Sequence, residues 1–95
     1  MVSAEDIALG AVRLVGGERS RQHGDKSANF RNVAALWNAW LEIRRDPAAP
    51  LDGHDVAQMM ALMKKARTQT GAHNPDDYVD DVGYSAIAGQ LAEPA

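Results

Sequence analysis

Asp77, Asp80, Asp81 and Tyr84 stand at steps of three and four, the spacing that gathers side chains along one edge of an α-helix. Hard divalent ions want oxygen ligands. An Asp-x-x-Asp pair lets two carboxylates converge on magnesium or manganese while water or a substrate phosphate completes the shell. Asp77 and Asp80 are therefore the candidate metal ligands. The competing reading is a capped, solvated helix start, since acids in a first turn suit the helix dipole; Asp80 lies too far in for capping.

Lys64, Lys65 and Arg67 fall near the end of the preceding helix. A short loop makes the two helices an antiparallel pair and brings these bases beside the acids. The outcome is either a set of ion pairs, each worth little, or a phosphate clamp next to a metal edge, with Lys64 and Arg67 as the phosphate contacts. A second basic group, Arg19, Arg21 and Lys26, flanks His23-Gly24-Asp25. Gly24 permits a backbone turn that aims amides at an anion, which makes Arg21 a further candidate phosphate contact; a solvated loop is the alternative.

Other chemistries lack their residues. His23, His54 and His73 have no second histidine four residues away, so a zinc site is not expected. No Ser-His-Asp pattern, nucleophile elbow, P-loop or dinucleotide fingerprint occurs. Met59, Met60 and Met63 read as packing rather than a cofactor box. Trp37 and Trp40, three apart, read as core or interface anchors rather than base-stacking platforms.

Four helices are needed to position these groups. Ser3 and Asp6 approximate a capping box for a first helix over about 4–15, with Ile7, Ala8, Ala11, Val12, Leu14 and Val15 at mainly helical spacing and Gly16-Gly17 as its stop. Residues 18–26 are polar and read as a connection. A second helix over 27–45 carries a broad stripe of Phe30, Val33, Ala34, Leu36, Trp37, Trp40, Leu41 and Ile43, ended by Asp46-Pro47. That width predicts two neighbours for this helix, one of them another subunit. Asp52 and Asp55 start a third helix, with Val56, Met59, Met60 and Met63 as its core seam, closing at Thr70-Gly71. Asn74-Pro75-Asp76-Asp77 starts a fourth, which runs to about Leu91. Its expected apolar face is Val79, Val82, Ala86 and Ile87, with Gly83 allowing a close helix approach.

The 95 residues fit one domain, and no strand-like alternation or internal repeat interrupts them. A chain this short, without cysteine, gains stability most readily by self-association, so the expected architecture is an all-α bundle of about four helices paired as a homodimer. The first residues do not resemble a secretory leader and no apolar run approaches membrane length, so the expected location is cytoplasmic. Net charge of −3 argues against a general nucleic-acid binder. The charge is uneven: +2 over residues 1–45 and −5 over 46–95.

Arg21-Gln22-His23-Gly24-Asp25, Asn29-Phe30, Ala35-Leu36-Trp37, Asp55-Val56-Ala57 with Met59-Met60, Lys64 to Arg67, and Asp77 to Tyr84 together resemble a family of small phage- and prophage-encoded helical domains, over about residues 18–90. That family in turn looks like a compact relative of the MazG-like all-α nucleotide pyrophosphohydrolases. The resemblance implies magnesium-dependent hydrolysis of nucleoside triphosphates on dimeric or tetrameric helical subunits, with metal held by Glu-x-x-Glu on one helix and Glu-x-x-Asp on the next. Asp77-x-x-Asp80 stands for the second pair, with Asp at its first place. The first pair has no counterpart: the second helix offers only Glu42, and His23 stands where the family pattern more often has Tyr. No residue is assigned a catalytic role. Two functional readings stay open, a nucleotide- and metal-binding protein and a non-enzymatic phage accessory protein that docks on a host or phage protein through the Trp37/Trp40 stripe.

Overall fold

The computed structural model describes residues 2–16 and 25–94, without the side chains of 13–16. Among the described residues the chain is all-helical: α1 (Ala4–Gly16), α2 (Lys26–Ile43), α3 (Gly53–Arg67) and α4 (Pro75–Ala92). No helix among them is long and apolar enough to cross a membrane. The expected basic loop, with Arg19, Arg21 and His23, lies outside the described residues.

Local chemistry sets the helix ends. The Ser3 hydroxyl accepts from the Asp6 amide at 3.1 Å, and Asp25 accepts from the amides of Ser27 and Ala28 at the head of α2. At α3 a reciprocal capping box forms, Asp52 accepting from the Asp55 amide at 2.8 Å and Asp55 from the Asp52 amide at 3.2 Å. Asn74 caps α4, and Pro75 fills a first-turn position whose N–H would have no helical partner. Gly71 supplies the positive φ of 70° that turns the chain from α3 toward α4.

α3 and α4 form an antiparallel pair along their whole length. Gly53 at the head of α3 faces Leu91 at the tail of α4, while Lys64 and Arg67 reach Asp80 and Asp77 at its beginning. α2 packs on the other side of α3, where the Trp37 indole N–H donates to the Met59 carbonyl at 2.6 Å and Trp40 stands 6.4 Å from His54, ring centre to ring centre. Small side chains dominate the buried set: Val33, Ala57, Met59, Ala61, Ala66 and Ala88.

Several expected core positions are not core. Val79, Val82, Ala86 and Ile87 are exposed; α4 instead turns Asp77, Asp81, Tyr84 and Ala88 inward, because its charged edge is bound to the basic end of α3. Val56 is exposed on α3, where Ala57 and Ala61 take the close contacts. Phe30 on α2 and Ile7 and Val12 on α1 are likewise exposed, although their spacing is helical. The second helix ends at Ile43, two residues early, because Arg44 leaves the helix to serve the following loop.

Candidate functional site

The acidic edge and the basic helix end meet, as the antiparallel pairing requires. Lys64 Nζ lies 3.0 Å from Asp80 Oδ2, Arg67 Nε lies 3.7 Å from Asp77 Oδ1, and Lys65 pairs with Asp81. Three cations and three carboxylates thus alternate across the α3–α4 seam in an electrically neutral ladder. Asp77 is buried, Asp80 and Asp81 are half-buried, and Ser85 donates to Asp81 one turn further on. Tyr84, on the same edge, is half-buried. The Asp77 and Asp80 carboxylates are hard oxygen donors one helical turn apart, a donor type that fits magnesium or manganese.

Trp37 and Trp40 are both half-buried and engaged within the chain, Trp37 on α3 through Met59 and Trp40 beside His54. The large apolar groups that are exposed lie elsewhere, at Phe30, Ile43, Val79 and Val82.

A second polar centre was not apparent from spacing. Arg44 Nη1 donates to Asp55 Oδ2 at 2.8 Å, with both side chains almost fully buried, and Nη2 donates to the carbonyls of Pro47 and Ala49. Burial alone raises the Asp55 carboxyl, but hydrogen bonds from the Asp52 backbone and with its side chain, together with the Arg44 guanidinium, outweigh it and hold the group below its ordinary value. The signal in sequence was Arg44 beside a Pro-containing loop that leads into a capping Asp pair. Asp52, His54 and Asp55 bring one ligand atom each within 4.8 Å of one another. Both carboxylates there are already spent on the capping box and on Arg44.

Beside this centre opens a recess of about 460 Å³, lined by Trp40, Ile43, Arg44, Pro50, His54 and Gln58 among others. It sits at the opposite end of α3 from the ladder: His54 and Lys64 are ten residues apart, roughly 15 Å along the helix axis. The two features are separate sites.

An all-helical domain with a charge ladder between its last two helices is the class that fold and site define. The chain belongs to the family described as a domain of unknown function, DUF6378, which matches residues 6–92. It is similar to the Gene 55 protein of Mycobacterium phage D29, 32% identical over 90 residues that cover 95% of this chain and 56% of the relative. It is likewise similar to the Gene 55 protein of Mycobacterium phage L5, 30% identical over 88 residues, 93% of this chain and 53% of the relative. The chain spans about half the length of these curated relatives, which are phage proteins, as the sequence resemblance implies. No solved structure matches the chain.

Proposed function

We propose that the α3–α4 ladder binds the phosphate groups of a nucleotide together with magnesium or manganese. Asp77 and Asp80 serve as the metal ligands, and Lys64 and Arg67 as the phosphate contacts. The observation that carries this reading is the alternation of three bases and three acids across one helix seam. A metal–phosphate unit brings one positive and one negative partner at once, so each carboxylate exchanges a cationic side chain for the ion and each base exchanges a carboxylate for a phosphate oxygen. Opposite charges stay in contact throughout, and the energetic cost is that of opening the existing pairs, smaller at the half-exposed Lys64–Asp80 pair and larger at the buried Arg67–Asp77 pair. Two carboxylates suffice for binding, whereas clamping both an attacking water and a phosphate normally takes more. The proposed role is therefore binding, with MazG-like pyrophosphate release as the activity to assay.

Paramagnetic manganese tests the assignment. In the presence of a nucleoside triphosphate, Mn²⁺ is expected to broaden the amide signals around Asp77 and Asp80 first. Broadening confined to the Asp52–Asp55 region would move the site to the other end of α3.

A second reading is favoured by a different observation. Among the described residues thirteen large hydrophobic side chains are exposed, Phe30, Val79 and Val82 among them. Such surface suits a phage accessory protein that docks on another protein through a helical face. This reading predicts a partner complex that survives Asp80→Asn unchanged.

A further inference from the structure

The side of α4 that faces away from α3 carries Val79, Val82, Gly83, Ala86 and Ile87 on one arc, directly across the helix from Asp77, Asp81, Tyr84 and Ala88. Val79 and Val82 are 66% and 70% exposed, and Ile87 is 48% exposed. A Cβ built on Gly83 meets nothing within 4 Å. No packing among the described residues therefore requires glycine at the middle of α4, where it is a poor helix former.

We infer that a second copy of this chain packs on this arc, the two α4 helices running antiparallel and crossing at Gly83. Four features select a copy of the same chain. The arc reads large, small, large about the helix midpoint, a pattern complementary to itself under two-fold rotation. Antiparallel pairing about Gly83 sets Val79 opposite the partner's Ile87 and lets the two backbones approach closely at the glycines. The exposed Gln90 amide then comes into register with the exposed carboxylate of the partner's Asp76. Finally, Asp76, Asp77, Asp80 and Asp81 all lie in the first half of α4, which has no basic residue, so antiparallel pairing keeps the two acidic halves apart. The inference does not rest on the nucleotide reading, because the arc faces away from the ladder.

Sedimentation equilibrium and cysteine cross-linking test it together. The protein is expected to sediment at twice its chain mass. Gly83→Gln, which has open space in the monomer, is expected to keep the circular dichroism of a helical protein while raising the dimer dissociation constant about tenfold or more. The chain has no cysteine of its own, so Gly83→Cys is expected to form a disulfide-linked dimer under mild oxidation faster than the exposed control Gln69→Cys. A wild-type protein that stays monomeric would overturn the inference, as would a dimer that is indifferent to Gly83→Gln and cross-links no faster at position 83 than at 69.

Discussion

Arg44, the first residue beyond α2, reaches across the loop to Asp55 in the first turn of α3 at 2.8 Å, and on the way ties down the carbonyls of Pro47 and Ala49. One side chain thereby fixes the entire α2–α3 connection. The Asp55 carboxyl is held below its ordinary value by this environment. A carboxyl depressed in the folded state contributes stability above its unfolded pKa and loses it as pH falls through the folded value. The melting temperature should therefore fall as the solution is acidified below the ordinary carboxylate range, and Asp55→Asn should flatten that fall. Parallel profiles for the two proteins would show that Asp55 is not the group responsible.

Asp52 contributes through its cap rather than through a charge pair. Asp52→Ala is expected to cost about 1 kcal/mol in urea unfolding, and Asp52→Asn, which can still accept from the Asp55 amide, much less. Equal losses in the two variants would argue against the capping role.

The Trp37 indole N–H to Met59 carbonyl bond joins α2 to the middle of α3. Trp37→Phe keeps most of the ring volume and deletes the donor, with an expected loss of about 1 kcal/mol. A change beyond ~3 kcal/mol would mean that packing of the six-membered and five-membered rings together, not the hydrogen bond, carries the contact.

Much of this architecture was legible in advance. Asn74-Pro75, Asp52 with Asp55, and Ser3 with Asp6 each announce a helix start through local hydrogen bonding, so α1, α3 and α4 begin close to their expected places. The antiparallel meeting of Lys64 and Arg67 with Asp77 and Asp80 followed from the short loop between α3 and α4. Which face of α4 turns inward did not follow, because hydrophobic spacing ranks Val79 and Val82 above Asp77, whereas the basic end of α3 draws the acidic edge to itself. The role of Arg44 is not legible in the spacing either. Its partners are two loop carbonyls and a capping residue eleven positions on, a relation that has no periodic signature.

The Lys64–Asp80 pair separates structural from binding roles. The Asp80 side chain is 44% exposed and that of Lys64 13%, so the pair is partly screened, and Lys64→Met should change stability by about 1 kcal/mol or less. The same variant should weaken nucleotide binding measurably in titration calorimetry. Unchanged affinity would remove Lys64 from the phosphate contacts.

The most direct measurement is a thermal-melt panel of the purified protein against nucleoside mono-, di- and triphosphates, each with and without magnesium or manganese. Ligands that bind only the native state raise the melting temperature by mass action. The proposed site predicts a rise that needs both a phosphate chain and the divalent ion, and that is lost in Asp80→Asn. A cooperative melt that no combination shifts, or an equal shift in Asp80→Asn, would contradict nucleotide binding at the α3–α4 ladder.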